Sequence, residues 1–211
     1  MPSSDPRTLS IVHDIILRLA PRSVIDIGVG HGKTGVLIRE YTDIWNERYD
    51  KASWQTKIYG IEAFPQYHNA LWDYAYDEVR IGDALSVLGT LPDVDLVVVL
   101  DVWEHFEKDY AQRVLELIMK KARFLLISTP IQVREQGAVF GNTYERHVST
   151  WSPRDFMDVP HRLVACTGFD WVLLLSSGEP IPYEVWRRHR RWEHLRRGWV
   201  AFWKILPHKN W

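Results

Sequence analysis

Ser23-Val24-Ile25-Asp26-Ile27-Gly28-Val29-Gly30-His31-Gly32-Lys33-Thr34-Gly35 decides the fold. A short apolar run carrying one acid, Asp26, breaks into alternating glycines, the pattern of a buried strand that turns tightly and enters a helix. A residue without Cβ takes positive φ at little cost and lets a flat or extended ligand lie against the main chain. Spacing separates the ligand classes that use such loops. A phosphate-cradling G-x-x-x-x-G-K-[ST] loop needs a glycine five residues before Gly32, where Ile27 stands. Counted from Gly28, the first glycine after the strand, a dinucleotide fingerprint needs its third glycine at position 33, which is Lys33. In that register both fail by one residue.

Working outward, strands and helices alternate. Residues 8–19 place Leu9, Val12, Ile15, Ile16 and Leu19 at helical spacing, so an amphipathic helix precedes the first strand and covers one sheet edge. Residues 34–45 form the first crossover helix, its N-terminal N–H groups aimed at whatever the loop binds. Residues 46–57 follow as an unusually long connection, a surface loop or a lid. The second strand, 57–63, ends in Glu62, where a carboxylate's two oxygens match the two adjacent hydroxyls of a ribose. A helix over 66–76 and a strand over 78–83 lead to Asp83-Ala84, which also reads as a helix N-cap. Residues 95–102 are the most hydrophobic stretch and the central strand of a parallel sheet covered on both faces, running into Trp103-Glu104-His105-Phe106. A helix over 110–121 and a strand over 123–129 precede a long polar and aromatic loop, 137–151, which emerges at the carboxyl edge of the sheet. Ser152-Pro153 caps a short helix through Phe156, and 163–167 with 169–175 make a closing antiparallel pair split by Gly168. The expected fold is α/β, a doubly wound, seven-stranded, mostly parallel sheet with an N-terminal helix and a C-terminal helical tail.

Asp26-x-Gly28-x-Gly30-x-Gly32 resembles the first motif of class I S-adenosylmethionine (SAM)-dependent methyltransferases, and Asp101-Val102-x-Glu104-His105-Phe106 resembles the fourth motif of many small-molecule members. With Glu62, Asp83-Ala84 and the Gly141-Asn142-x-Tyr144-Glu145-x-His147-x-Ser149-x-Trp151 loop, five motifs fall in order over residues 20–176, similar to a little-characterised bacterial group. Val29 departs from the more usual cysteine or alanine, a small change. The resemblance implies a Rossmann-like methyltransferase fold and SAM held by Asp26, Gly28, Gly30, Gly32, Glu62, Asp83, Ala84 and Asp101, with Asp83-Ala84 beside the adenine. Asp26 suits a ligand carrying an ammonium and a sulfonium. The Asn/Asp-Pro-Pro-Tyr string of amine-methylating enzymes is absent, which favours an oxygen nucleophile on a small molecule or glycan.

Methyl transfer from a sulfonium requires an aligned acceptor and removal of its proton. His105 and His147 are the candidate bases, with Glu104 and Glu145 beside them. Their spacing fixes no metal geometry, so the sequence assigns no metal. A non-catalytic binding or scaffold protein of the same fold is the competing class, and the intact Gly28, Gly30, Gly32, Glu62 and Asp83 argue against it. A peptide or lipid-linked acceptor also remains open.

The 211 residues, 46% of them hydrophobic, suit one domain over 1–180 and a tail over 181–211. The net charge of −1 hides an asymmetry: residues 183–211 hold eight Lys/Arg against two Glu, which leaves the first 182 residues about seven charges negative. A single cysteine, Cys166, excludes an internal disulfide and a cysteine metal cluster and fits a reducing cytoplasm. The opening Met-Pro-Ser-Ser-Asp-Pro carries no secretory signal, and no apolar run is long enough to span a bilayer. In the tail Val185, Trp192, Trp199 and Leu206 recur every seven residues among arginines. That stripe suits packing on the body or a homodimer, or peripheral contact with an anionic membrane, better than nucleic acid.

Overall fold

A computed structural model describes residues 3–185 and 187. Seven strands form one sheet in the order β3-β2-β1-β4-β5-β7-β6. They are β1 (Ser23–Ile27), β2 (Lys57–Glu62), β3 (Glu78–Ile81), β4 (Val94–Leu100), β5 (Ala122–Pro130), β6 (His161–Cys166) and β7 (Asp170–Ser176). The pairs from β3 to β5 are parallel, while β7 runs antiparallel between β5 and β6. This is the doubly wound, mostly parallel arrangement expected, with the chain order reversing at β1/β4, where such sheets open a crevice at their carboxyl edge.

Strand periodicity sorts the core into two layers. Val24, Ile58, Leu96, Val98 and Leu126 face one side with helix α1 (Leu9–Leu19), α2 (Lys33–Thr42) and α3 (Ala70–Ala75). Ile25, Ile61, Val97, Val99 and Ile127 face the other with α4 (Ala84–Leu88) and α5 (Lys108–Lys121). β4 therefore reads as a continuous apolar run because both of its faces are buried. Helix α1, expected at a sheet edge, lies on a face instead: Ile11, Val12, Ile15 and Ile16 share a core with residues of β1, β4, β5 and β7.

Two helices are shorter than their sequence pattern. The first crossover ends at Thr42, because Asp43 turns inward, and the second begins only at Ala70, capped by Asn69 after a turn at Pro65–Tyr67. The long connection is a surface loop and not a lid, and it is anchored from beneath. Asp43, fully buried, accepts hydrogen bonds from Arg39, Arg48 and the Gln55 N–H, and Arg39 also reaches Thr56 O and Ala75 O. Arg39 Cζ lies over the Trp54 ring, 4.2 Å from its centroid. All of this sits at the amino edge of β2 and β3, opposite the crevice.

Among the described residues no helix is long and apolar enough to cross a membrane. Packing continues to Val185, which is fully buried in the first core layer with Ile181 against it. The remainder of the expected tail helix, including Trp192, Trp199 and Leu206, lies outside the described residues.

Candidate functional site

A cavity of about 400 Å³ opens at the carboxyl ends of β1, β2, β3 and β4. Its floor is the loop after β1. Gly28 has φ +84°, and a Cβ there would meet Val102 Cγ2 at 2.3 Å, so the turn admits no side chain. The Gly30 N–H donates to Glu62 Oε2 at 2.8 Å, while Glu62 Oε1 accepts from Phe64 N–H at 2.9 Å. Each oxygen thus keeps a free lone-pair direction toward the cavity it lines. Burial pushes the Glu62 carboxyl up from its usual value, against those two N–H donors.

Asp83 and Ala84 line the same cavity at the end of β3. Asp83 does two jobs there. Its Oδ1 caps α4 through the Ser86 N–H and accepts from Tyr110 Oη at 2.9 Å. The Tyr110 phenol is pushed up to about 12 by burial and by that carboxylate. At the end of β4, Asp101 adopts φ +54°, an unusual conformation for a residue with a side chain. Two bonds hold its carboxylate: Ser128 Oγ donates to Oδ1 at 2.6 Å, and the Asp5 N–H donates to Oδ2 at 2.7 Å. The N-terminal segment therefore forms part of the cavity wall, through Ser3 and Ser4. Lys33 ties it down through Ser4 O at 2.6 Å and Ser3 Oγ at 3.0 Å, and burial holds the Lys33 amine below its usual value.

Gly28, Gly30, Glu62, Asp83, Ala84, Asp101 and His105 all line this one space. Asp26 and Gly32 do not. Asp26 points into the first core layer, where Tyr76 Oη donates to it at 2.5 Å and itself accepts from the Gly35 N–H. Gly35 is what makes room, since a Cβ there would sit 2.2 Å from the Tyr76 ring. Full burial raises the Asp26 carboxyl to about 7, so the charge expected to face a cationic ligand is spent inside the fold. Gly32 serves as the left-handed start of α2 beside Trp72.

The loop after β5 closes one wall with Asn142, Tyr144 and Glu145. Tyr67, from the turn after β2, donates to Glu145 Oε1 at 2.9 Å and accepts from Asn142 Nδ2 at 3.2 Å. Burial pushes the Tyr67 phenol up to about 12. No local motif marks Tyr67, Tyr110 or the Ser3–Ser4 segment. The same loop brings His147 to the turn after β4. Val148 and Ser149 N–H groups both donate to Glu104 O, at 3.0 and 3.1 Å, and the His105 and His147 rings lie 5.0 Å apart. Glu104 and His147 stand behind His105 and do not themselves line the cavity. Glu104 is 1% exposed, with Oε2 accepting from Thr129 Oγ1 at 3.1 Å. Burial, with the Asp101 charge adding to it, raises this carboxyl to about 8. His105 is held below its usual value by burial.

No protein-family profile and no curated protein sequence matches this chain. Solved structures do. A putative O-methyltransferase from Nostoc punctiforme is similar with a TM-score of 0.56 at 13% identity, over 82% of this chain and 56% of that one. A SAM-dependent methyltransferase from Archaeoglobus fulgidus gives 0.54 at 16% identity, over 81% of this chain and 94% of that one. The N-terminal domain of EvdMO1, solved with SAH bound, gives 0.52 at 12% identity, over 82% and 80%. The chain thus spans little more than half of the Nostoc protein but nearly all of the Archaeoglobus one. At these identities the likeness is one of fold: the chain has the Rossmann-like fold of SAM-dependent methyltransferases.

Proposed function

We propose that this chain binds SAM in the cavity and transfers its methyl group to an oxygen of a small molecule or glycan. The observation that carries the reading is the convergence of the glycine loop, Glu62, Asp83-Ala84, Asp101 and His105 on one cavity of drug-like size. The adenine lies beside Asp83, Ala84, Phe106 and Tyr110. The ribose hydroxyls donate to the remaining lone pairs of Glu62. The methionine part runs along Gly28 and Gly30, with the Lys33 ammonium available to its carboxylate and Asp101 to its ammonium. Asp26 acts at one remove, fixing the loop's entry through Tyr76.

The acceptor then occupies the side lined by His105, Tyr144 and Glu145. A sulfonium leaves readily, so the protein's work is alignment and disposal of the acceptor's proton. His105 Nδ1 faces Arg146 O at 2.9 Å and so carries the ring proton, which leaves Nε2 with the lone pair. Removal of the acceptor's proton falls to this histidine cluster.

The test is release of SAH from methyl-labelled SAM over a panel of phenols, sugars and lipid-linked sugars, with amines as the counter-panel. Turnover of hydroxyl acceptors is expected. Turnover confined to amines overturns the choice of oxygen, and absence of SAM binding removes the whole reading in favour of a non-catalytic protein of this fold.

A further inference from the structure

We propose that Glu104, His105 and His147 form a binding site for one divalent cation of the first transition series, and that this cation holds the acceptor oxygen. The second clause rests on the methyl-transfer reading above; the first stands without it.

One ligand atom from each of the three side chains lies within 4.8 Å of the others. A divalent ion with bonds of about 2.1 Å seats its ligands roughly 3–4 Å apart, so side-chain shifts of about 1 Å close the site. Both imidazoles are already set in the required tautomer. His105 Nδ1 faces Arg146 O at 2.9 Å, and His147 Nδ1 faces Arg134 O at 2.6 Å. A ring nitrogen facing a carbonyl must carry the proton, so in each neutral ring Nε2 keeps its lone pair. A metal-bound histidine characteristically donates its other N–H to a backbone carbonyl in this way.

The carboxylate is equally prepared. Glu104 is 1% exposed, is oriented by Thr129 Oγ1, feels the charge of Asp101, and among the described residues has no cationic side chain bonded to it. A buried carboxylate beside another carboxylate is costly unless a cation joins them. The three ligands arrive on two segments far apart in the chain, fastened by the Val148 and Ser149 N–H bonds to Glu104 O and by Gln136, whose carbonyl accepts from His147 N–H at 3.2 Å. Such bracing holds the set together before any ion enters.

Two imidazoles and one carboxylate suit Zn(II), Co(II) or Mn(II) rather than Mg(II) or Ca(II), which take oxygen ligands almost exclusively. Three protein ligands leave a position open, and His105 lines the cavity, so that position faces the acceptor. In the step this allows, the acceptor hydroxyl binds the cation and its proton passes to water. An oxygen lone pair then forms the bond to the methyl carbon as the carbon–sulfur bond breaks. The bonding pair stays on sulfur, giving a methyl ether and neutral SAH. With the cation bound, the imidazoles are its ligands and cede the role of base they hold in the metal-free protein, because the cation itself lowers the acceptor's pKa.

The experiment is a titration of chelator-stripped protein with Co(II), followed by its visible d–d absorption, in wild type, His147→Ala and Glu104→Gln. One Co(II) per chain is expected, displaced by Zn(II) and not by Mg(II), with at least a tenfold loss of affinity in each variant. His147 is only half-buried and lies on a loop, so its variant decides the matter even if Glu104→Gln proves unstable on heating. No Co(II) spectrum in wild type, or unchanged affinity in His147→Ala, overturns the site. SAH calorimetry on the same samples separates the two claims: SAH binding without Co(II) removes the metal alone, and Co(II) binding without SAH leaves the site but removes its part in methyl transfer.

Discussion

The two edges of the sheet handle buried charge in opposite ways. At the amino edge, Arg39 and Asp43 are each about 1% exposed or less, and every polar atom has a partner: Asp43 accepts from two guanidinium groups and the Gln55 and Thr56 N–H groups, and Asp77 joins Arg39 to Lys57. Burial alone would raise the Asp43 carboxyl, yet it stays below its usual value because the Gln55 N–H and the Arg48 and Arg39 guanidiniums hold the anion. At the carboxyl edge, burial raises Glu104 to about 8 and Asp170 to about 6, with Asp101 adding to both. The first cluster is neutralised and serves the fold. The second has its carboxyls pushed toward the protonated form where the cavity opens, the arrangement of a site that receives a ligand.

The contrast breaks first at Arg39. Arg39→Met strips Asp43 of one cation and leaves Ala75 O and Thr56 O unpaired, so unfolding in urea should show a loss of about 3–5 kcal/mol with little change in SAH affinity. A loss below about 1 kcal/mol would mean the amino-edge cluster is incidental. Asp26 sharpens the comparison, being a buried acid near the cavity that serves the fold. Its folded value of about 7 lies above the ordinary 3.8, so the folded protein keeps a proton that the unfolded chain sheds. That contribution to stability is complete below about pH 4 and is lost as pH rises through 7. Asp26→Asn keeps an acceptor for Tyr76 and removes the titration, so it should gain roughly 2–3 kcal/mol on wild type between pH 5 and pH 8. Parallel stability profiles for the two proteins would show that Asp26 is not titrating there.

Why the two edges were unequally visible in the sequence follows from the range of the interactions. A strand advertises itself through local apolar periodicity, and the acid or glycine that follows it projects at the carboxyl edge by topology alone. Glu62, Asp83 and Asp101 could therefore be placed from their order along the chain. The Arg39–Asp43 clamp could not, since it depends on Thr56 and Ala75 meeting one guanidinium from segments distant in sequence. The same holds for Tyr76, whose reach across to Asp26 turned an expected ligand group into an internal one. His105 and His147 were legible as residue types; their common tautomer and their approach to Glu104 depend on how the loop after β5 folds back.

Smaller effects probe the carboxyl edge itself. Glu62→Ala should weaken SAH by roughly 1.5–3 kcal/mol in calorimetry, the scale of a hydrogen bond to a charged group, while an analogue without ribose hydroxyls loses less. Equal losses would assign Glu62 to the loop, through the Gly30 N–H, and not to the ribose. Tyr110→Phe removes one neutral donor from Asp83 and should cost about 0.5–1.5 kcal/mol of SAH affinity, with stability nearly unchanged.

The claim on which everything else depends is that the glycine-floored cavity takes SAM, and calorimetric titration of wild type and Gly30→Val with SAH tests it most directly. Gly30 lines the cavity at φ +53°, so a branched side chain there intrudes where the ligand meets the main chain. Saturable one-to-one binding by wild type is expected, lost in a Gly30→Val protein that still melts cooperatively. No binding by wild type, or equal binding by the folded variant, would contradict the account.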